Sequence, residues 1–324
     1  MSMYNTVDNL WLEITDKCNA FCPQCSRTNH LKGTARDTLL NKSWSIEDFI
    51  EAFPITEYSY IKKYSFCGSH GDPLINPDFQ KMVNYILSNT DSFIEVHTNG
   101  SIRTPDWWSK FGKMCNIINP RKIKIYFGID GSNEETHAFY RRGTDFNKIL
   151  KNAKAFIDTE NMTAWNFISF KHNQHQIQSA KKLSKEIGFD DFYLIKTSSF
   201  EGEEPFKYVW KNKEYKLEPP DIGRLKRSTY KSYSGIEEPH EIQIKCNGVY
   251  EKELWVNVMG HVTPCCYFST GIYNYVTRKR KFWGNVYPTD KLEGINIFES
   301  SLPEILSSDF FREIENRYIK EKLN

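Results

Sequence analysis

The sequence carries no excess of charge of either sign: 43 Lys and Arg stand against 41 Asp and Glu, a formal net charge of +2 at pH 7. Phosphate recognition needs a concentrated basic field, so no nucleic-acid partner is expected. The one basic run, Arg278 to Lys281, reads as a solvated loop. No apolar run approaches the length of a membrane span. The opening "MSMYNTVDNLW" has neither the apolar core nor the cleavage site of a secretory leader. The expectation is a cytoplasmic chain with no membrane partner. Internal repeats and low-complexity tracts are absent as well. What stands out instead is eight cysteines, which in a reducing compartment point to metal or catalytic roles rather than disulfides.

At 324 residues the chain is long enough for one large domain and a smaller one. Apolar strand-like runs, Leu10 to Ile14, Tyr64 to Gly68, Phe93 to His97, Lys122 to Ile129, Trp165 to Phe170 and Phe192 to Lys196, alternate with helical patterns. Ser45 with Asp48 three residues later has the form of a capping box, and Thr104 before Pro105 opens a second helix. "FNKILKNAKAFI" and "IQSAKKLSKEIGF" carry the apolar spacing of amphipathic helices. Six strands alternating with helices predict a parallel sheet of βα units, whose chemistry belongs on the loops after the strands. Residues from about 200 to 243 are charged and proline-bearing, as in a connecting segment. An amphipathic helix is expected near "LPEILSSDFFREIENRY". Aromatics, 15% of the chain, imply a well-filled core or an aromatic-lined cavity.

The loop after the first strand reads "DKCNAFCPQC" and places Cys18, Cys22 and Cys25 within eight residues. A closed zinc site would need a fourth ligand, and His30 is not spaced to supply it. A thiol–disulfide pair would use Cys22 and Cys25 and leave Cys18 surplus. An iron–sulfur cluster suits soft thiolates, and three of them leave one iron of a four-iron cluster open.

"CNAFCPQC", a CxxxCxxC motif directly after the first strand, resembles the signature of the radical S-adenosylmethionine (SAM) superfamily. The resemblance implies a [4Fe-4S] cluster on Cys18, Cys22 and Cys25, with SAM at the open iron. It also implies reductive cleavage of SAM to a 5′-deoxyadenosyl radical, which takes a hydrogen atom from a peptide or small-molecule substrate. An electron donor such as flavodoxin or ferredoxin is implied too. "GSHGDP", from Gly68 through Gly71 and Asp72 to Pro73, is similar to the family's glycine-rich segment. Glycines there permit close backbone approach to a ligand, and a carboxylate at Asp72 suits the SAM ammonium. "HTNGS" and "GIDGS…HAFYRRG" match further family patterns. They put Asn99 and Asp130 near the cofactor and Arg141, or failing it Arg142, on the SAM carboxylate. Three departures stand out. Asp72 replaces the commoner Glu, Gln24 replaces an aromatic whose backbone meets the adenine, and Gly128 replaces a frequent Ser.

A second group, Cys246, Cys265 and Cys266, lies in "CNGVYEKELWVNVMGHVTPCC". It resembles the opening of the SPASM and twitch extensions. No cysteine follows Cys266, so the shorter twitch type, with a second iron–sulfur cluster, is the better match. Cys67 and Cys115 read as core residues, and His70 as a structural or a substrate-facing residue. The expected architecture is thus α/β: a partial (β/α)6 radical SAM barrel over residues 1–200, a connection over 201–243, and a smaller C-terminal twitch-like domain over 244–324. An iron–sulfur electron carrier, or a structural metal-binding module without SAM chemistry, is the alternative.

Overall fold

The computed structural model describes residues 7–196, 200, 204–221, 251–278 and 292–323. The strands in chain order are β1 (Asn9–Leu12), β2 (Thr28–Asn29), β3 (Thr34–Ala35), β4 (Lys63–Phe66), β5 (Phe93–Thr98), β6 (Ile123–Gly128), β7 (Met162–Ser169), β8 (Asp191–Lys196), β9 (Phe206–Trp210), β10 (Lys213–Leu217), β11 (Glu253–Val256) and β12 (Val262–Thr263). The principal helices of the barrel are α1 (Ile46–Ala52), α2 (Ile55–Tyr58), α3 (Phe79–Asn89), α4 (Pro105–Ile118), α5 (Glu134–Tyr140), α6 (Phe146–Ile157) and α7 (Ile177–Ile187). Three further helices, Cys266–Arg278, Leu302–Leu306 and Asp309–Leu323, follow. The single terminal helix expected from the sequence is therefore two, parted at Ser307 and Ser308.

Eight strands form one sheet in the order β12-β11-β1-β4-β5-β6-β7-β8. All pair in parallel except β12, which runs antiparallel to β11. The six strands anticipated from the apolar runs are its successive members β1, β4, β5, β6, β7 and β8. Alternation decides the faces. Leu10 and Leu12, Ile94 and Val96, and Ile123, Ile125 and Phe127 are buried against the helices. There they meet Phe49, Trp108, Phe111 and Phe156 in one apolar core. The intervening residues, among them Trp11, Ser65, His97 and Tyr126, line the opposite, concave face. The helix starts follow their capping residues. Ser45 accepts from Asp48 N at 3.0 Å while Asp48 accepts from Ser45 N at 2.7 Å, and Thr104 accepts from Trp107 N at 3.3 Å.

The C-terminal segment extends this sheet. β11 pairs with β1 over four residues, Asn9 to Leu12 against Glu253 to Val256. Trp44 donates to Val258 O at 2.8 Å, Leu302 N donates to the Tyr58 hydroxyl at 3.0 Å, and the Tyr273 hydroxyl donates to Asp16 at 2.7 Å. Within the expected connection, β9 and β10 form an antiparallel hairpin. Its turn residues Lys211 and Asn212 both have positive φ, 48° and 62°, the signature of a type I′ turn.

Candidate active site

The cysteine loop leaves β1 at the C-terminal edge of the sheet and is tied down at its base by Asp16. That buried carboxylate accepts from the backbone N–H groups of Leu40, Asn41 and Lys42 at 2.8 to 3.1 Å and from Tyr273. Nothing in the sequence pattern singled it out. Arg27, also buried, donates to Ala20 O at 2.9 Å and braces the middle of the loop.

Within this frame Cys18, Cys22 and Cys25 pack together with Ala20 and Tyr140. Burial pushes all three thiols up; Cys22 reaches about 11, with the Arg141 guanidinium holding it back. Cys18 is raised further by Asp72, and Cys25 is offset by the Arg27 backbone N–H. Without metal these are neutral thiols, and a cationic centre would supply the field that makes them thiolates. Among the described residues no three His, Cys, Asp or Glu side chains converge on a single-ion position. A four-iron cluster distributes its thiolates over separate irons, so three soft, mutually adjacent sulfurs fit that group and not a closed zinc centre.

Strands β5 and β6 bring the other expected residues to the same place. Asn99 donates to Cys18 Sγ at 3.6 Å and to Asn19 Oδ1 at 2.8 Å, and Asn19 donates to Ser101 Oγ at 2.8 Å. Asp130, fully buried, accepts from Arg141 Nε at 2.5 Å and from Ile168 N at 2.6 Å. Burial pushes its carboxyl up and Arg141 opposes the rise. His137 shapes this corner, since its Nδ1 accepts from Asp130 N at 3.2 Å and its Nε2 meets Thr144 Oγ1 at 2.9 Å. Arg142 has a separate task. It donates to the Tyr208 hydroxyl at 2.7 Å, and its guanidinium carbon lies 4.3 Å from the Tyr215 ring centre and 5.3 Å from that of Phe139. Its own carbonyl accepts from Phe21 N, in the cysteine loop, at 2.7 Å. The hairpin thus clasps the loop, helped by Val209 N donating to His30 O at 2.7 Å and by Trp210 against Phe21 at 5.6 Å.

The glycine-rich segment serves the protein's own chain. A Cβ on Gly71 would stand 1.8 Å from Thr15 O, and one on Gly68 would stand 2.3 Å from Gly71 O. The glycines let this segment close against the base of the cysteine loop. Asp72 accepts from Leu74 N at 3.1 Å, from Asn99 N at 2.8 Å and from Thr98 Oγ1 at 2.9 Å. It joins the segment to the end of β5, and Pro73 opens the short helical turn that follows. The Thr98 hydroxyl also lies 3.0 Å from the second Asp72 oxygen, so both oxygens are held within the chain, and the carboxylate acts on Cys18 through its charge. Gln24 stands at the outer rim, in a recess of about 230 Å³ lined also by Cys25, His30, Arg36 and Phe206. His70 is buried under Tyr273, ring centres 4.0 Å apart, beside Glu13. Its place is the interior and not the cavity mouth.

Of the second cysteine group, Cys246 lies outside the described residues. Cys265 and Cys266 are half-buried at the start of the helix Cys266–Arg278. Burial, then Cys265, pushes the Cys266 thiol up to about 11. Cys115 joins the apolar core as expected. Cys67 is buried too, and within electrostatic reach of Cys266 and Glu13.

A βα sheet with a three-cysteine loop after its first strand defines a class. Residues 12–168 match the family described as the Radical SAM superfamily. GTP 3′,8-cyclase of Desulforamulus reducens is 23% identical over 189 residues, which cover 57% of this chain and 54% of that one. The chain thus spans about half the length of this curated relative. The crystal structure of Streptococcus suis SuiB superposes with a TM-score of 0.62 at 13% identity, covering 96% of this chain and 68% of that one. The structure of anSMEcpe with bound AdoMet gives 0.54 at 14% identity, with 94% and 79% covered. Both share the fold. No helix among the described residues is long and apolar enough to cross a membrane.

Proposed function

We propose that the protein is an enzyme that holds a [4Fe-4S] cluster on Cys18, Cys22 and Cys25 and binds SAM at the iron these residues leave open. One observation carries the proposal: three adjacent thiols, Cys22 buried and Cys18 and Cys25 half-buried, lie on the loop after the first strand beside the Arg141–Asp130 pair. When bound, cluster and SAM would supply reductive cleavage to a 5′-deoxyadenosyl radical and removal of a hydrogen atom from the substrate. The chain's own residues orient the partners. Arg141, fixed by Asp130 through Nε and set against Cys22, is the cation offered to the SAM carboxylate. Asp72 offers its negative charge to the SAM ammonium, and Gln24 offers backbone to the adenine at the rim.

A peptide substrate is favoured by the fold's relatives, since SuiB has been solved bound to precursor peptide SuiA and anSMEcpe with the Cp18Cys peptide. A small molecule is the second reading, favoured by the sequence match to GTP 3′,8-cyclase. We assign the reducing electron to a donor such as flavodoxin or ferredoxin and the chain to the cytoplasm. Residues 1–200 serve as the barrel, 201–243 as the connection and 244–324 as a twitch-like extension, with a second iron–sulfur cluster on Cys246, Cys265 and Cys266. The test is anaerobic reconstitution followed by reduction with SAM present. Formation of 5′-deoxyadenosine is expected, and its absence overturns the proposal. Iron near eight per chain supports two clusters, and about four supports one.

A further inference from the structure

The concave face of the sheet carries a row of aromatic rings in contact from strand to strand. Trp255 on β11 stacks on Trp11 of β1, ring centres 4.8 Å apart and planes within 1°. Trp11 meets His97 of β5 at 5.4 Å, His97 stacks on Tyr126 of β6 at 4.5 Å, and Tyr126 stacks on Tyr193 of β8 at 6.1 Å. Two small residues make the row continuous. Ser65 on β4 is the register partner of Trp11, and Ala164 on β7 is that of Tyr126. The rings therefore reach across both strands. Close stacking along a sheet face is ordinary packing by itself. What packing does not call for is a carboxylate on the acidic hydrogen of two of these rings. Trp11 Nε1 donates to Glu253 at 2.7 Å, and the Tyr126 hydroxyl donates to Glu95 at 3.1 Å. His97 between them is kept neutral, pushed down to about 4 by its burial, so it puts no positive charge against an oxidised neighbour.

The row has two distinct ends. At one, Trp255 is the register partner of Thr263, whose hydroxyl donates to Cys265 O at 3.2 Å. At the other, Tyr193 is 41% exposed. Its centre lies two residues along the strands from the candidate active site: His97 precedes Asn99 and Tyr126 precedes Gly128, a rise of about 7 Å.

We propose that this row is a one-electron relay that carries an oxidising equivalent from the indoles Trp255 and Trp11 to Tyr126 and on to the exposed Tyr193. A one-electron oxidant takes an electron from Trp11, and the indole N–H proton moves to Glu253. Tyr126 then returns an electron to the indolyl radical through His97, while its phenolic proton moves to Glu95 and Glu253 gives its proton back to Trp11. The sum is one electron to the oxidant, a phenoxyl radical at Tyr126 and one proton on Glu95. In the last transfer Tyr193 gives an electron to Tyr126 and its phenolic proton to solvent, while Glu95 returns its proton to Tyr126. The radical then sits where a soluble reductant can quench it. In the proposed enzyme, which forms an organic radical in the barrel, such a path spares the site from stray oxidation. That purpose rests on the proposed function; the relay itself does not.

Pulse radiolysis with azidyl radical, which oxidises indoles, tests the relay on the full chain without iron or SAM. The wild-type protein is expected to show indolyl absorption decaying as phenoxyl absorption grows, at a rate independent of protein concentration. Trp11→Phe and Tyr126→Phe should each lose this phase. Glu95→Gln keeps every ring and should slow it, with an unchanged circular dichroism spectrum as the control for folding. No such phase in the wild type, or the same phase in Trp11→Phe and Tyr126→Phe, overturns the relay. Should those variants not fold, an unchanged rate in Glu95→Gln overturns it. None of these outcomes bears on 5′-deoxyadenosine formation, so either proposal can fail alone.

Discussion

Gly128 lies directly beneath the guanidinium of Arg141: a Cβ on Gly128 would stand 2.7 Å from Arg141 Nη2. The serine that the family resemblance implies at this position has no room here while Arg141 keeps its bond to Asp130. Gly128→Ser is expected to push the guanidinium off that carboxylate. The loss of one hydrogen bond between charged groups, about 1.5–3 kcal/mol, corresponds to roughly tenfold or more in affinity. Calorimetric titration of the reconstituted protein with SAM measures it, and unchanged affinity would remove Arg141 from the carboxylate.

Asp72 is a brace between two loops as well as a candidate ligand. Asp72→Asn turns one acceptor oxygen into a donor that faces the N–H of Asn99 or that of Leu74. Stability should fall by about 1–3 kcal/mol, read from denaturant unfolding of the metal-free protein. Asp72→Glu, the commoner residue in similar sequences, should keep the charge yet lose the three short contacts.

Arg142 clasps the hairpin. Replacement by alanine removes the cation from between Tyr208, Tyr215 and Phe139 and should cost about 2 kcal/mol. Lysine keeps the charge without the planar fork and should recover only part of this. Hydrogen exchange at the Val209 amide, which bonds to His30 in the cysteine loop, is the local readout. Exchange that does not quicken in Arg142→Ala would show that the hairpin is held by other contacts.

Acid should destabilise the protein through His137. Burial, and then Arg141, pushes its pKa from 6.5 down to about 3. The folded state therefore binds fewer protons than the unfolded state between these values. Stability rises with pH across that window and is lost as pH falls below about 6.5, by up to about 1.4 kcal/mol per pH unit for this one group. His137→Asn can retain an acceptor for Asp130 N and should reduce the slope of stability against pH by about one proton. An unaltered slope would mean that other histidines set the acid limit.

The parallel strands were legible because each pairs an apolar run with helical punctuation on both sides. The positions of Cys18, Asn99 and Asp130 followed, since all three lie on loops after strands, whereas Arg141 closes helix α5. Their partners were not legible. Asp16 reaches residues 40–42 and Tyr273, contacts that no local pattern encodes. The glycines were read as making room for a ligand, and what stands against Gly71 in the structure is Thr15 of the same chain. The hairpin β9–β10 was hidden by its charge. "FKYVWKNKEYKL" alternates as strands do around a two-residue turn, yet its lysines and glutamates gave it the look of a linker. The clasp on Arg142 joins the near neighbour Phe139 to Tyr208 and Tyr215 of a hairpin more than sixty residues on, a meeting that sequence order does not mark.

The pairing of β1 with β11 sets a condition on synthesis. The first strand of the sheet acquires one of its two neighbours only when residues some 240 positions later have been made, a separation that includes Asn9 with Glu253. Until then its edge is open and Trp11 lacks its stacking partner. Such long-range pairing slows folding and prolongs the exposure of unpaired strand edges. A nascent chain that has released only its first 200 residues therefore holds every cysteine of the first group while β1 remains a free edge. On the ribosome, completion of the eight-stranded sheet must wait for the C-terminal segment.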